Sequence, residues 1–423
     1  MAVKLVERNI VTQHKRNRGF RPLPSKTKVC SYWLKGRCNR SPCRFLHAEL
    51  PLQNASHRKV SASTLPEGHV ASNTMKERDG LKLGDRLCRH WASGTCTKGD
   101  KCLFQHSWSL GEGFSLLATL ERHEKGISGI GYPSGSDKLY SGGKDGVVRI
   151  WDCHTGQCSN KVDVGSEVGS IICKDQWVFI GLQNVVKAWN TQTAAAFDLK
   201  FTAGLVYCFA VKGDLLFAGC QNGHILVWRG SSPSSPPQLI TSLEGHTSVV
   251  VSMVVGANRL YTGSLDGTIR VWDIDTLGCI TSFKGHTDAV MSLICWDEYL
   301  LSGSLDRTIK VWGGSSPGAR TLEVVYTHKE ENGVLALNGV HDKERNPILL
   351  ASCNDDTVHM YELPTFVERG RIFSNWEVGV VQVADACPIF FTGDGSGILK
   401  VWKVTGVLKG SVLRLNMWNP SLA

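Results

Sequence analysis

The stretch Leu260-Tyr-Thr-Gly-Ser-Leu-Asp-Gly-Thr-Ile-Arg-Val-Trp272 returns forty residues later as Leu300-Leu-Ser-Gly-Ser-Leu-Asp-Arg-Thr-Ile-Lys-Val-Trp312. Each copy has an apolar run, a tight turn with an Asp, and a second run in which apolar and polar residues alternate before a Trp. An alternating run on either side of a tight turn is typical of a β-hairpin. The repeated segment therefore predicts β-structure built from one recurring unit.

Weaker copies of the same segment occur throughout the larger part of the chain. They end at Trp151, Trp189, Trp228, Tyr361 and Trp402. A period of about 40 residues is the one expected for four-stranded propeller blades. Seven copies predict a mainly β fold, a seven-bladed β-propeller over residues 114–408, followed by a C-terminal tail over 409–423.

Two local features refine the prediction. The segment from Phe114 to Leu120 precedes the first full repeat, and we expect it to supply the outer strand of the last blade and so close the ring. The second repeat is one residue short in its turn, around Gly181 to Val185. The blade predicted from it therefore departs from the common pattern.

The repeats resemble WD repeats, in which a His, a Ser or Thr, an Asp and a Trp form a buried hydrogen-bonded network. Two copies match in full, with the groups His246, Ser264, Asp266, Trp272 and His286, Ser304, Asp306, Trp312. The first copy keeps His123, Asp145 and Trp151 but has Gly143 at the expected Ser, and the sixth keeps His328 and Asp355 but has Cys353 and Tyr361. Because these residues recur with the repeat, they are interpreted as structural rather than as a catalytic triad, and no enzyme activity is predicted.

Ahead of the repeats lie two clusters of Cys and His at metal-ligand spacing. The predicted zinc ligands are Cys30, Cys38, Cys43 and His47 in the first cluster and Cys88, Cys96, Cys102 and His106 in the second. Three thiolates and one imidazole form a closed tetrahedral set suited to structural Zn²⁺. Fragments this short bury too little apolar surface to fold alone, so two zinc ions, one per cluster, are expected to supply the folding free energy.

The spacing resembles that of CCCH zinc fingers, many of which bind single-stranded RNA. The resemblance implies that aromatic rings stack on bases while cations follow the phosphates. The candidate nucleic-acid contacts are Tyr32, Trp33, Lys35, Arg37, Arg40, Arg44 and Phe45 in the first finger, and Arg89, Trp91, Lys98, Lys101 and Phe104 in the second. The alternative is that Trp33 and Trp91 cover the zinc and that the charges are merely solvated.

The charge of the chain is unevenly distributed. Residues 1–110 hold 21 Lys and Arg against 7 Asp and Glu, whereas the rest of the chain has a net charge of −5. A basic arm on a mildly acidic body indicates a polyanionic partner for the arm. The run His14-Lys-Arg-Asn-Arg18 is either a nuclear-import signal or a further phosphate contact.

These features divide the chain into six parts. They are a basic N-terminal segment (1–26), finger one (27–50), a flexible linker (51–84), finger two (85–109), the propeller (114–408) and the tail (409–423). No secretory signal or membrane-spanning stretch is recognised, so an intracellular protein is expected, in the nucleus or alternatively in the cytoplasm. The nine cysteines outside the clusters are interpreted as core filling.

The order of fingers and repeats closely resembles the plant zfwd family of CCCH and WD-repeat proteins. The resemblance implies zinc, nucleic acid as a partner with RNA favoured over DNA, and a propeller that binds proteins rather than a small molecule or a membrane. The leading hypothesis is an RNA-binding adaptor. A DNA-binding transcription regulator and a substrate receptor of a ubiquitin ligase are the alternatives, although the basic residue typical of such receptors is absent after Trp151-Asp152 and Trp272-Asp273.

Overall fold

The computed structural model describes residues 86–405, apart from 134, 231–234, 315–321, 343 and 385–387. The predicted N-terminal segment, first finger, linker and C-terminal tail therefore lie outside the described residues. So do the ligands and candidate nucleic-acid contacts of the first finger. Among the described residues, no helix is long and apolar enough to cross a membrane.

The described chain is almost entirely β, because its apolar and polar residues alternate along short runs that turns interrupt. Two short helical segments, α1 (Arg89–Ala92) and a 3₁₀ helix (Gly99–Lys101), precede the strands. The strands in chain order are β1 (Ser109–Gly111), β2 (Phe114–Glu121), β3 (Ile127–Gly131), β4 (Lys138–Gly143), β5 (Val147–Asp152), β6 (Cys158–Asp163), β7 (Ser170–Lys174), β8 (Trp177–Asn190), β9 (Ala196–Lys212), β10 (Leu215–Cys220), β11 (Ile225–Arg229), β12 (Gln238–Leu243), β13 (Val250–Gly256), β14 (Arg259–Ser264), β15 (Thr268–Asp273), β16 (Cys279–Lys284), β17 (Val290–Trp296), β18 (Tyr299–Ser304), β19 (Thr308–Gly314), β20 (Leu322–Lys329), β21 (Val334–His341), β22 (Pro347–Cys353), β23 (Thr357–Glu362), β24 (Val367–Phe373), β25 (Val378–Val383), β26 (Ile389–Asp394) and β27 (Ile398–Val404).

The sheets are arranged as the blades of a propeller. Four sheets have four strands each: β3-β4-β5-β6, β13-β14-β15-β16, β17-β18-β19-β20 and β2-β27-β26-β25. A fifth has five strands, β1-β24-β23-β22-β21, and a sixth has six, β12-β11-β10-β9-β8-β7. The inner strands pack side by side around the ring: β3 on β7, β9 on β13, β13 on β17, β17 on β21, β21 on β25, and β25 on β3.

The prediction of seven blades is wrong: the described strands form six sheets, and the propeller has six blades. The difference arises where the second repeat meets the third. Because the turn of the second repeat is short, β8 continues for 14 residues through a bulge at Asn184, and β9 runs for 17 residues. Strand β9 pairs with β8 along one part and with β10 along the other, so the two repeats join in one six-stranded sheet.

The predicted closure of the ring is confirmed. Strand β2 pairs antiparallel with β27, with Phe114 opposite Val404 and Leu120 opposite Leu399. An early segment of the propeller thus supplies the outer strand of the sheet that ends the propeller. This pairing covers an edge that would otherwise present unpaired backbone groups.

The core lies between neighbouring blades and is filled by the inward-facing residues of the repeats. Trp228, Trp402, Phe217 and Phe390 are among the largest fully buried side chains. Cysteines contribute less to this core than predicted. Cys208, Cys220 and Cys353 are buried, whereas Cys153 and Cys279 are exposed and do not fill it.

The His-hydroxyl-Asp-Trp network is present, but the predicted hydroxyl was wrong by two residues. In the fourth repeat the indole N–H of Trp272 donates to Thr262 Oγ1 at 2.9 Å, and His246 contacts Thr262 at 2.8 Å and Asp266 at 3.0 Å. Ser264 instead donates to the carbonyl of Ser248. Two residues along a strand keep the same face, which is why the pattern alone did not separate the two positions.

The same shift corrects two other repeats. In the fifth repeat, Ser302 rather than Ser304 bonds both His286 and Trp312. In the first repeat, Ser141 takes this place, so the network is complete despite Gly143. Buried polar groups are thereby satisfied within each of these blades.

Candidate zinc centre and nucleic-acid interface

The second finger is a short segment held by very little ordinary structure. A parallel bridge between Leu87 and Gln105 fixes its two ends, with the Cys88 N–H donating to the Gln105 carbonyl at 2.9 Å. Between them lie only α1 and the 3₁₀ helix. Cys88 is the one buried residue between 86 and 108. A segment with so small a core needs another source of folding free energy.

A metal ion held by the four predicted ligands would supply this folding free energy. The donor atoms of Cys88, Cys96, Cys102 and His106 all lie within 4.8 Å of one another. The Sγ atoms of Cys88 and Cys102 are 3.7 Å apart, close to the ligand separation in a tetrahedral zinc site. His106 Nε2 is buried and has no hydrogen-bond partner among the described residues. An orphaned imidazole nitrogen facing three thiols fits a bound Zn²⁺.

The electrostatics of Cys88 favour the thiolate that zinc requires. Cys88 caps the N-terminus of α1, where its Sγ accepts the backbone N–H of Trp91 at 3.4 Å. Burial alone would raise the pKa of the Cys88 thiol, but this hydrogen bond, together with the neighbouring imidazole and thiols of the cluster, lowers it to about 7. A metal ligand of this type binds as the thiolate, so the lowered pKa reduces the free energy needed to deprotonate it.

The candidate nucleic-acid contacts of this finger fall into two groups. Phe104 is 40% exposed and lies beside Leu103, which is 64% exposed. Lys98 and Lys101 are exposed at either end of the 3₁₀ helix. This exposed group combines an aromatic ring with two cations, the combination that a single-strand site uses.

Trp91 is in a different position. Its ring stacks on the His106 imidazole, with 5.8 Å between centroids and an angle of 13°, and its centroid lies 5.4 Å from that of Trp108. Trp91 thus covers a zinc ligand on one side and is half-buried. Arg89 is almost fully exposed, and its guanidinium lies 4.0 Å from the Asp356 carboxylate of the propeller.

Sequence reasoning missed the anchor between this finger and the propeller. Trp108 packs on the core cluster shared by the blades of β21–β24 and β25–β27, and its ring centroid lies 3.4 Å from Lys400 Nζ. Burial lowers the pKa of Lys400 to about 8. The only sequence signal was an additional Trp two residues after the last ligand.

Backbone hydrogen bonds complete this anchor. The Phe373 N–H donates to the Trp108 carbonyl at 2.9 Å, and β1 then pairs antiparallel with β24. At Gly111, φ is +95° and a Cβ would lie 2.3 Å from the Arg369 carbonyl oxygen, so only glycine fits there. The second finger is therefore attached directly to the edge of a blade, and β1 spans the predicted boundary between the two domains.

Comparison with known proteins identifies the same two kinds of domain, zinc fingers and WD repeats. The model of the family "RNA-binding, Nab2-type zinc finger" matches residues 30–48 and 87–106. The model "WD domain, G-beta repeat" matches residues 114–152, 237–273 and 277–313. Both families typically serve as binding modules rather than enzymes. A crystal structure of the computationally designed Ika8 protein is 25% identical, with a TM-score of 0.51, over 68% of this chain and 99% of that one.

Plant proteins resemble the chain over nearly its whole length. Zinc finger CCCH domain-containing protein 17 of Oryza sativa subsp. japonica is 47% identical over 89% of this chain and 91% of its own. Zinc finger CCCH domain-containing protein 48 of Arabidopsis thaliana is 48% identical over 90% of this chain and 92% of its own. RNA-binding-type fingers joined to a WD propeller support a nucleic-acid-binding adaptor. The chain belongs to the family of plant zinc finger CCCH domain-containing proteins that combine CCCH fingers with WD repeats.

Proposed function

We propose that the protein binds single-stranded RNA through its zinc fingers and recruits a protein partner through its propeller. The observation that carries the proposal is the exposed ring of Phe104, on the same small finger as the exposed cations Lys98 and Lys101 and the four clustered metal ligands. The ring offers a stacking surface to any unpaired base, whereas the two lysines attract the phosphates. The basic N-terminal region adds further positive charge.

Phe104 rather than Trp91 is the principal base platform of this finger. The ring of Trp91 is occupied by His106 and Trp108, which leaves it less surface for a base. Stacking of one base on an aromatic side chain is worth about 1–3 kcal/mol. Phe104→Ala should therefore weaken RNA binding by about 5-fold or more, whereas Leu239→Ala, at a similarly exposed apolar residue of the propeller, should leave it unchanged.

RNA bound to the anchored finger would lie beside the loops of the propeller. Arg89 approaches Asp356, whose carbonyl accepts the Ser374 N–H at 2.8 Å. Two residues further along, Trp376 is 59% exposed. An exposed Trp is typical of the residues that dominate protein-protein interfaces, so this loop is the proposed contact for a protein partner.

The RNA part of the proposal is tested by cross-linking to cellular RNA. The wild-type chain is compared with the double variant Cys30→Ser plus Cys88→Ser, which loses one predicted ligand in each finger. We expect RNA recovery to fall to background in the double variant and to persist in Cys153→Ser, where an exposed propeller cysteine is changed. Equal recovery from the double variant and the wild type would contradict the proposal.

The partner-recruiting part is tested separately by affinity purification. Trp376→Ala should lose co-purifying proteins after nuclease treatment while its RNA binding is retained. The same set of proteins on wild type and variant would reject this loop as the docking site.

We also propose a nuclear location. A fluorescent fusion whose basic residues at 14–18 are replaced by Ala should then move to the cytoplasm, and an unchanged distribution would reject the import signal.

A further inference from the structure

The blade formed by β21–β24 lacks the hydrogen-bonded network of its neighbours. Its aromatic residue is Tyr361, and ten residues earlier, where the other repeats have Thr262 or Ser302, the chain has Ala351. No hydroxyl is available there to join a His to the aromatic ring. The predicted His328 packs instead against Tyr361 and Phe366.

A different group of polar side chains occupies the freed space. Glu330 follows β20, Cys353 ends β22 and His359 lies in β23. The donor atoms of these three side chains lie within 4.8 Å of one another. Cys353 and His359 are buried, and the Glu330 side chain is only 4% exposed. They line a cavity of about 150 Å³ that reaches the surface at Lys329 and Glu331.

The hydrogen bonds around His359 fix its tautomer. Thr357 Oγ1 donates its only proton to the Asp355 carboxylate, so it must accept a hydrogen bond from His359 Nε2–H at 2.9 Å. A neutral ring with its proton on Nε2 is the form in which an imidazole binds a metal through Nδ1. In that form Nδ1 of His359 carries a lone pair, and it lies 3.5 Å from Glu368 Oε1 and 4.0 Å from Glu330 Oε2.

Among the described residues, the cavity holds one buried oxygen atom that has no hydrogen-bond donor. The single hydroxyl proton of Tyr361 is shared between His359 Nδ1, 3.0 Å away, and the Glu330 carboxylate. Oε1 of Glu330 is buried without a hydrogen-bond partner among the described residues. Arg371 lines the same cavity and pairs with Glu368 at 2.9 Å, so its positive charge acts on both carboxylates. A buried carboxyl group in this position is stabilised either by taking up a proton or by a cation that joins it.

We infer that Glu330, Cys353 and His359 form a binding site for a divalent metal ion of the zinc class, separate from the zinc fingers. Thiolate, imidazole and carboxylate are the protein ligands that Zn²⁺ prefers. Bonds of about 2.0–2.3 Å would bring the donor atoms about 3.3–3.8 Å apart, so the side chains need to close by about 1 Å. The Asp355–Thr357 pair behind His359 is the kind of outer partner that orients a metal-binding imidazole.

The site has room for a fourth ligand. Three protein ligands and a cavity open to solvent leave one position for water, and His328 Nε2 lies 3.7 Å from Glu330 Oε1 as an alternative donor. Binding would release the Cys353 thiol proton to solvent and form the Sγ–metal bond in its place. The ion would also join β20, β22 and β23 where the usual network is missing.

The inference is tested by counting metal ions in the full-length protein. After incubation with ZnCl₂ and removal of free metal, elemental analysis and native mass spectrometry give the zinc content per chain. Glu330→Gln and Cys353→Ser should each lose one zinc ion relative to the wild type, whereas Cys153→Ser should lose none. Glu330→Gln keeps the shape of the side chain, and its circular dichroism controls for folding.

A second measurement identifies the ligands. Co²⁺ replaces zinc and gives a thiolate charge-transfer band, and the difference spectrum between wild type and Cys353→Ser should show one fewer thiolate-bound ion. The zinc content and the cobalt spectrum are independent of RNA binding, so the result does not depend on the proposed function. Equal zinc content in the wild type, Glu330→Gln and Cys353→Ser would overturn the inference and indicate a protonated Glu330 instead.

Discussion

The second finger and the blade of β13–β16 both depend on a buried or half-buried histidine, but they use it for different purposes. In the finger, Cys88 and His106 converge on a metal position, and hardly any apolar surface is buried. In the blade, His246 and Trp272 are buried and are satisfied by Thr262 and Asp266 within the repeat. A His is therefore a metal ligand in the finger, where little core exists, and a partner in a polar network in this blade, where the side chains around it satisfy its nitrogens.

The largest expected effect separates these two sources of stability. Structural zinc in a finger contributes about 10–16 kcal/mol of apparent binding free energy, far more than the finger's own core. Cys88→Ser should unfold the second finger and release its zinc, whereas the propeller should keep its near-ultraviolet circular dichroism and its unfolding midpoint. The zinc content of the full chain measures the loss of metal from the finger, and its denaturant unfolding measures the stability of the propeller. Cooperative loss of the propeller in this variant would show that the finger holds the blade rather than the reverse.

The network of the blade predicts a smaller effect at Thr262. Thr262→Val removes the shared hydroxyl and leaves the Trp272 N–H and His246 Nε2 buried without partners. Such groups cost about 1–3 kcal/mol each, so the free energy of unfolding should fall by about 2–4 kcal/mol. Urea titration measures the change. Thr247→Val, at an exposed residue of the same blade, should change it by less than about 0.5 kcal/mol, and equal effects would contradict the assigned network.

The pH dependence of the propeller follows from the same groups. Burial lowers the pKa values of His123, His246 and His286 in the folded chain. The unfolded chain therefore binds more protons, and stability is lost as the pH falls below the unfolded value of about 6.5. Unfolding by urea at pH 7, 6 and 5 measures this loss, and His286→Gln should reduce the slope.

The aspartate partners add a second loss at lower pH. Burial would raise the pKa of Asp266, but hydrogen bonds from Thr268 and from the Thr247 N–H lower it to about 2. Its stabilising contribution is present above about pH 4 and disappears as the pH falls toward 2.

A propeller whose stability does not change from pH 7 to pH 5 would contradict the neutral, buried state of the three histidines.

The smallest expected effect concerns the cations of the finger. Replacing Lys98 and Lys101 by Gln should weaken RNA binding at low salt and reduce the dependence of log K on log salt concentration by about 0.7 for each phosphate that is no longer neutralised. The matched control is Lys212→Gln, an exposed lysine of the propeller. An unchanged salt slope in the double variant would place the RNA elsewhere on the chain.

The sequence predicted best where the determining geometry is local. The spacing of Cys88, Cys96, Cys102 and His106 predicted a cluster that the structure brings together, since metal geometry restricts ligand spacing. The hydroxyl of the network was misplaced from Thr262 to Ser264 because residues two apart on a strand share a face. The joining of β8 and β9 into one sheet depends on how a short turn is accommodated in three dimensions, which the repeat period does not determine.

Apart from the closure of the ring by β2 and β27, which the repeat period predicted, the long-range contacts were not visible in the sequence pattern. Trp108, Lys400 and β24 are distant in the sequence, so nothing local indicated that the second finger is anchored to a blade. The site at Glu330 and His359 likewise combines residues whose meaning appears only when the usual network is absent. In both places a departure from the repeat, rather than the repeat itself, carries the functional information.

The most direct test of the central claim is a competition experiment with the full-length, zinc-loaded protein. Labelled single-stranded RNA is bound at a fixed salt concentration and displaced with unlabelled single-stranded RNA or with duplex DNA of the same sequence and length. The RNA-binding account predicts displacement by RNA at concentrations at least about 10-fold lower than by duplex DNA, and loss of this preference in Phe104→Ala, because a paired base cannot stack on the ring. Equal or stronger displacement by duplex DNA would contradict it.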